Sequence, residues 1–312
     1  MSRLNLFNRL FILGVIVVSL ALTGCVNKSG SITSHALRAG LNFTEPVPFD
    51  NPYPDLYFDL NYNLPEIKEL HYIKTENRNT YSMMMGMDIK VKIQKDIDYI
   101  IKGAGVDRQN NYTGDILVNR LDLSVIRPGK DIPTKSSATE EALKIVFSPK
   151  GKIIELSSAS PTGKGEINVK NHIEDDLLIN LPDETLQVGK VWTTPIEIRK
   201  VEGKEGGETL IITAKGETVS VVEGIETING LECIKINTLL KGTIEQTGQV
   251  IGNKSSGNGE ILRSSVWHFA YKEGIFVKSS TQEIRKTKQK IGPSMEMSVT
   301  EIINTDINLI EY

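Results

Sequence analysis

Cysteine, histidine and tryptophan are all scarce in this 312-residue chain. There are two cysteines, Cys25 and Cys233, with four histidines and two tryptophans. Two cysteines cannot build the framework of several disulfide bonds on which small secreted domains often depend. The histidines form neither H-x-H nor H-E-x-x-H, so the sequence offers no support for a zinc site.

Signatures of common enzymes are missing as well. No G-x-S-x-G elbow, Walker-type loop or Rossmann fingerprint stands where a strand would need it. Paired acids such as Asp175 and Asp176 fit a solvated helix face better than a general acid pair. We therefore predict a protein that is not an enzyme, with no catalytic residues, no metal ligands and no cofactor.

Basic charge is not in excess either. The net charge is −3, which gives no basic footprint for nucleic acid, and we expect no nucleic-acid partner. A short basic run at 285–290 predicts a charged edge strand facing water, because charge commonly protects such edges. Contact with an anionic surface is the alternative for this run.

One long apolar run occurs, from Leu10 to Leu22. The nine residues before it include Arg3 and Arg9 and no acid, which is typical of the start of a secretory signal. The run is shorter than the roughly 20 residues that a membrane-spanning helix needs. No comparable run follows, so we expect no integral membrane segment in the rest of the chain.

The segment Leu22-Thr23-Gly24-Cys25 resembles the lipobox of bacterial lipoproteins. The resemblance implies that residues 1–24 are a cleaved signal peptide, that the Cys25 thiol carries diacylglycerol and that the new amino terminus is acylated. Several acyl chains together anchor a protein firmly to a membrane, whereas one does so only reversibly. An ordinary signal peptide with a chance cysteine near the cut is the alternative.

This motif predicts an address in the bacterial cell envelope, at a membrane surface facing the periplasm or the exterior. Val26 follows the cysteine in place of the aspartate associated with inner-membrane retention. In a Gram-negative host the outer membrane is therefore the expected destination. With Cys25 lipidated, Cys233 has no partner, and its strand-like setting in LECIKI predicts a buried, inert thiol.

Two segments precede the predicted folded region. Residues 25–40 are small and polar and predict a lipidated tether. Residues 41–65 hold five of the twelve prolines and six aromatic residues. Prolines at this spacing exclude a regular helix or a central strand. We predict an extended strap whose aromatics pack onto the main domain; a docking segment for a partner protein is the alternative.

Alternating apolar and polar residues predict a β-rich domain in two halves, 66–180 and 181–312. Met83–Ile93 alternates as one strand, and 145–156 predicts a hairpin. Val169, Ile173 and Leu177 predict a short helix near 169–178. In the second half, Asn229-Gly230 predicts a tight hairpin turn and 246–260 a flexible polar tip. The likeness of the hairpins at 147–156 and 269–278 suggests a duplication.

Three phrases, LPDETLQVGKVW, LECIKI and WHFAYKEGIFVKSS, resemble uncharacterised bacterial lipoproteins built from long antiparallel strands. That family is similar in shape to the half-barrel of the lipoprotein carrier and its outer-membrane receptor. The resemblance covers roughly residues 66–310 and implies a mainly β fold, a curved sheet or half-barrel around one short helix, with an apolar concave face. It carries over no catalytic residues.

All six methionines after Met1 fall in two clusters, at 83–87 and 295–297. Methionine fills adaptable apolar surfaces, so we predict that both clusters line one cavity. Thioethers also select Cu(I), which is the alternative. The predicted ligand-pocket residues are Met83, Met85, Met87, Ile89, Met295 and Met297.

These observations give three hypotheses for function. The first is a non-enzymatic, membrane-anchored lipoprotein whose concave face binds a hydrophobic or amphiphilic ligand or a partner protein. The second is a methionine-rich Cu(I)-binding envelope protein. The third is a structural envelope protein that uses the strap to dock a partner and binds no small ligand.

Lipidation at Cys25 is directly testable. Replacing the residue with serine removes the only thiol within the motif, so labelling of the protein with radioactive palmitate should disappear in Cys25→Ser. Labelling that persists in this variant would overturn the assignment.

Overall fold

The computed structural model describes residues 43–63, 69–84, 87–129, 132–158, 169–173, 177–203, 209–250, 253–293 and 295–312. The predicted signal peptide, Cys25, the tether and Met85 lie outside these residues. So do Asp175 and Asp176.

Long antiparallel strands dominate the described residues. One short helix, α1, spans Lys170–Ile173. The strands are β1 Glu69–Met84, β2 Met87–Val106, β3 Tyr112–Ile126, β4 Thr134–Ala138, β5 Glu141–Phe147, β6 Ile153–Ser158, β7 Val191–Gly203, β8 Thr209–Ile228, β9 Leu231–Val250, β10 Asn253–Ala270, β11 Ile275–Ile291 and β12 Met295–Glu311. The predicted fold class, mainly β with long antiparallel strands in a curved sheet, is confirmed.

All twelve strands belong to one curved, unclosed sheet. Their order is β6-β5-β3-β2-β1-β12-β11-β10-β9-β8-β7, and β4 pairs with β3 beside this path. The chain therefore steps from β1 outward to one end of the sheet, crosses to the other end at β7, and steps back until β12 pairs with β1. The two predicted halves meet at that pair and form a single sheet.

Period-two alternation decides which side chains face the inside of the curve. In β3 the buried residues include Ile116, Val118, Leu121, Leu123 and Val125, with less buried residues between them. Side chains alternate across a strand, so one face of β3 is apolar. The step from Val118 to Leu121 follows a register shift opposite Asp98 and Tyr99, where the strand has an extra residue.

A large apolar cluster, here called the plug, fills one end of the concave face. Its aromatic centre is built on Tyr72, whose ring stacks on Tyr99 at 5.4 Å and on Phe276 at 5.7 Å between ring centroids. The Tyr72 hydroxyl donates a hydrogen bond to the Phe276 carbonyl at 2.7 Å. Residues outside the sheet complete the plug: Phe58, Leu60, Tyr62, Val169, Ile173, Leu177, Ile179, Leu181, Leu186 and Val188.

The segment between β6 and β7 supplies part of this filling. Val169, Ile173 and Leu177 are all buried, as their spacing predicts, but helix α1 ends at Ile173 and Leu177 lies in a bend. The predicted helix to residue 178 is therefore too long. Beyond the bend, the Leu181 amide donates to the Lys150 carbonyl at 2.8 Å. Backbone hydrogen bonds to a neighbouring segment thus take the place of hydrogen bonds within a helix at this point.

The strap divides into two parts. Near its end, Phe58 pairs with Leu186 through two backbone hydrogen bonds of 2.9 Å, and Phe58 and Tyr62 are buried in the plug. At its start, Phe43 packs against a small cluster on the outer face of the sheet. Phe49, Tyr53 and Tyr57 between them are exposed.

The prediction that Met83–Ile93 forms one alternating strand is wrong. β1 ends at Met84 and β2 begins at Met87. Ser82 pairs with Ile89 across this turn, and paired residues share a face. Because Met83 follows Ser82 on the strand, Met83 and Ile89 lie on opposite faces. The apolar residues recur at every second position on both sides of the turn, so the sequence pattern does not show where one strand ends and the next begins.

Two further predictions of local structure are wrong, and one is confirmed. The basic run at 285–290 lies in β11, which pairs with β10 and β12 and is not an edge strand. The described part of 246–260 belongs to long paired strands rather than a flexible tip. The turn at Asn229-Gly230 is confirmed, since both residues have the positive φ that a tight hairpin turn requires, 55° and 81°.

Tyr62 fastens the strap to the segment before β7. Its hydroxyl accepts a hydrogen bond from the Ile179 amide at 3.0 Å and donates one to the Ile179 carbonyl at 3.3 Å. Tyr62→Phe leaves both buried backbone groups without this partner, so we expect a loss of about 1–3 kcal/mol in the free energy of unfolding, measured by urea denaturation. Tyr57→Phe, at an exposed strap position, should change it by less than about 0.5 kcal/mol. Equal effects of the two variants would contradict this account.

Candidate functional site on the concave face

Beside the plug, the concave face carries an unusual set of charged side chains. They come from five adjacent strands, β10, β11, β12, β1 and β2. We call this set the charge belt: Lys74, Glu76, Arg78, Lys95, Arg263, Glu283, Arg285 and Glu301. Charged residues are rarely buried unless they are paired, so their placement requires an explanation.

Strand register brings the belt together. Glu76 lies opposite Lys95, Arg263 opposite Glu283, and Arg285 opposite Glu301. Directly opposed residues on neighbouring strands share a face and lie close enough to interact. Residues two apart on one strand also share a face, which adds Lys74 and Arg78 to Glu76 on β1.

The contacts within the belt alternate in sign. Lys95 Nζ lies 2.9 Å from Glu76 Oε1, and Arg78 Nη2 lies 3.2 Å from the same oxygen. Arg78 Nη1 is 3.6 Å from Glu301 Oε1, and Arg285 Nη1 is 4.0 Å from Glu301 Oε2. Glu283 contacts the Nε atoms of both Arg263 and Arg285. Every carboxylate of the belt therefore touches at least two cations.

Burial differs between the two signs of charge. The side chains of Glu76 and Glu283 are 7% and 2% exposed, whereas Arg78, Arg263 and Arg285 are 21–25% exposed. Two of the carboxylates are thus more deeply buried than the arginines, and solvent partly reaches the arginine side chains and Glu301, which is 22% exposed.

The pKa values reflect an excess of positive charge. Burial would raise the pKa of Glu76, but Arg78 and Lys95 outweigh it and lower the pKa to about 2. Burial and the nearby Arg78 lower the pKa of Lys95 to about 8, more than Glu76 can offset. Burial and Lys95 lower the pKa of His172 in α1 to about 4, so this imidazole is neutral at pH 7.

Some buried polar atoms at the belt have no hydrogen-bond partner among the described residues, and two of them belong to Arg78 and His172. One is Arg78 Nε and the other is His172 Nδ1. The His172 carbonyl accepts a hydrogen bond of 3.4 Å from Lys74 Nζ, which places α1 at the edge of the belt. Buried polar atoms are normally satisfied by a partner, so these two depart from the usual pattern.

Apolar side chains flank the arginines on the same face. On one side, Ile89 and Ile93 of β2 are partly buried against the plug. On the other, a separate cluster contains Leu240, Ile244 and Ile261, with Ile196, Ile212 and Ala214 partly buried against it. Leu240 pairs with Arg263 and Ile261 with Arg285, which places this cluster on the concave face. The concave surface is therefore amphipathic.

The structure distributes the predicted pocket residues over both faces. Ile89 and Met297 lie on the concave face. Ile89 pairs with Ser82, and so does Val299, which shares its face with Met297 two residues earlier on the same strand. Met297 is buried. Met295 is half-buried at the start of β12. Met83 lies on the outer face, 44% exposed. Met87 begins β2, where its backbone pairs with Met84.

Cys233 fits its predicted role as a buried thiol. Its side chain is buried, and burial raises its pKa to about 11, whereas a nucleophilic cysteine needs a lowered pKa. No group of three or more His, Cys, Asp or Glu side chains in the described residues could hold a metal ion. Within the same ranges, no helix is long and apolar enough to cross a membrane.

The charge belt is the feature that sequence reasoning missed. The sequence does contain a signal for it. Leu70 and Tyr72 are buried on one face of β1, and the next alternate positions on that face are Lys74, Glu76 and Arg78. Charged residues at positions where alternation predicts apolar ones indicate either a solvated stretch or a polar interior, and period-two patterning alone does not separate the two.

The sequence matches no protein-family model, and no curated protein matches it. Several solved structures share a weak structural likeness. Pseudomonas aeruginosa OccK5 (OpdH) is 8% identical, with 78% of this chain and 99% of that chain covered, at a TM-score of 0.30. An outer membrane channel from Pseudomonas putida F1 is 8% identical, with 82% and 99% covered, at a TM-score of 0.32. Neither a common fold nor a common function follows at such scores.

Glu283 is the most deeply buried carboxylate of the belt. Replacing it with glutamine leaves Arg263 and Arg285 beside a neutral group, and removing one partner of a buried ion pair typically costs about 3–5 kcal/mol. We expect a loss of this size in the free energy of unfolding of Glu283→Gln, measured by denaturant titration.

Glu197 provides the matched control for Glu283. It pairs with Lys215 at 3.2 Å, but both side chains are mostly exposed. Glu197→Gln should change the free energy of unfolding by about 1 kcal/mol or less. A cost for Glu283→Gln no greater than that of the control would show that the belt is solvated and weakly coupled.

Proposed function

We propose that this protein is a lipid-anchored, non-enzymatic lipoprotein of the bacterial cell envelope whose concave sheet face binds an amphiphilic molecule. The observation that carries the proposal is the composition of that face, where partly accessible guanidinium groups lie directly beside partly buried aliphatic side chains. A surface with both characters in adjacent rows suits a ligand that has a polar group and an apolar tail.

The anchor is supported by the lipobox-like segment that ends at Cys25. The strap is compatible with it, because Phe43 packs on the outer face of the sheet. The belt lies on the opposite face, so an anchor joined ahead of Phe43 leaves the concave surface free for a ligand.

Docking of a partner protein through the strap is a second candidate. Phe49, Tyr53 and Tyr57 are 43%, 46% and 63% exposed in a proline-rich segment, and exposed aromatics of this kind often serve recognition. The Cu(I) hypothesis receives less support, because Met83 and Met297 lie on opposite faces and cannot share one ion.

Ligand binding can be tested with the full chain carrying Cys25→Ser, which removes the predicted lipid. Native mass spectrometry of this protein, prepared without detergent and mixed with monooleoylglycerol, should show a one-to-one complex. Neighbouring positions on the two faces supply matched variants. Ile89→Trp adds bulk to the partly exposed concave face and should weaken binding at least about tenfold, whereas Asp88→Trp on the outer face should not.

Two results would contradict the proposal. One is the absence of any complex over a range of lipid concentrations in which the protein remains folded by circular dichroism. The other is equal weakening by the two tryptophan variants, which would place the lipid away from the concave face.

A further inference from the structure

We propose that the three arginines of the charge belt, Arg78, Arg263 and Arg285, hold the anionic group of the amphiphile, a phosphate or a carboxylate. This inference rests on the proposed function and specifies its ligand chemistry.

The charge balance favours an anion. The belt contains five cations and three carboxylates, which leaves two positive charges in excess when all are ionised. The two lysines lie deepest among the cations, with Lys74 2% and Lys95 8% exposed. A ligand cannot reach these lysines directly, but their charge adds to the field at the arginines above them. A cationic ligand would be repelled at the same place.

Accessibility favours the arginines as the contact groups. Their side chains are the partly exposed members of the belt, together with Glu301 at 22%. Guanidinium groups present donors in a planar fork that matches carboxylate and phosphate geometry.

Spacing shows that one anion can be shared. Arg78 and Arg285 stand on strands separated by β12, yet both contact the Glu301 carboxylate, at 3.6 Å and 4.0 Å. A group of carboxylate size thus already bridges these two guanidinium groups. A ligand anion on the accessible side would meet the same two arginines, and Arg263 is linked to Arg285 because both contact Glu283.

The apolar row gives the tail a direction. Ile93 of β2 lies opposite Arg78, and Ile89 lies on the same face four residues earlier; both side chains are only partly buried against the plug. Alternate residues of a strand lie roughly 7 Å apart, so an eight-carbon chain on the order of 10 Å long would extend from the arginines past Ile93 toward Ile89. Ile89, one of the predicted pocket residues, thereby falls along the tail rather than at the anionic group.

The belt could instead serve the sheet alone, with its ion pairs satisfied internally. That alternative predicts no preference among ligands that differ only in head group. The two accounts are separated by isothermal titration calorimetry on the full chain carrying Cys25→Ser, with four probes below their micelle-forming concentrations. The probes are octyl phosphate, octyl glucoside, octyltrimethylammonium and inorganic phosphate.

We expect octyl phosphate to bind at least about tenfold more tightly than octyl glucoside, and octyltrimethylammonium to bind most weakly. In Arg78→Gln the affinity for octyl phosphate should fall to that of octyl glucoside, while the affinity for octyl glucoside stays unchanged. Arg199→Gln, an exposed position on β7, is the matched control and should preserve the preference.

A measurement on the unchanged arginines covers the case in which Arg78→Gln does not fold. Raising the salt concentration should weaken the binding of octyl phosphate and leave octyl glucoside unaffected, because salt screens only the charged contact. At high salt, the unsubstituted protein should therefore lose its preference for octyl phosphate over octyl glucoside.

Each contrary outcome has a distinct meaning. Equal affinities for octyl phosphate and octyl glucoside, or a preference that survives in Arg78→Gln, would overturn the arginine assignment and leave amphiphile binding intact. Inorganic phosphate that binds as tightly as octyl phosphate would support the anion site and overturn the amphiphile as its ligand. Failure of every octyl probe to bind would overturn the proposed function itself.

Discussion

The pairing of β1 with β12 is the constraint on which the rest of the structure depends. It runs from Met83 opposite Ser298 to His71 opposite Glu311 and joins the first strand of the chain to the last. Because each half of the chain is a meander that grows away from this pair, the ends of the two meanders, β6 and β7, lie at opposite ends of the sheet. The segment that connects them therefore passes from one end of the strand order to the other.

That crossing explains why the plug exists. A curved sheet buries its concave face only if something fills it, and a meander has no helix layers to do so. The crossing segment supplies Val169, Ile173 and Leu177, and the strap supplies Phe58 and Tyr62 from the other side of the chain. Both are short, so they fill one end of the concave face and leave the charge belt as its lining farther along.

The features of the fold and of the site that could be predicted from the sequence are those that a few neighbouring residues determine. The strands follow from alternation and the turn at Asn229-Gly230 from its two residues, because both are properties of a few neighbouring positions. The end of β1 at Met84 and the start of β2 at Met87 could not be predicted, since methionines on both sides continue the alternating pattern. The charge belt depends on register across five strands, which pairs Arg285 with Glu301 and Glu76 with Lys95. No local pattern specifies that register.

The belt also raises the question of why ions stand where apolar residues would stabilise the sheet as well or better. Replacing a buried ion pair with packed apolar side chains is often neutral or stabilising, so stability alone does not account for eight charges on one face. Register is one account, because a one-residue slip would place Glu283 on the outer face and remove its contacts with Arg263 and Arg285. Register alone, however, needs only balanced pairs. The surplus of cations, and their exposure above buried carboxylates, are what a binding surface for an anion would require in addition.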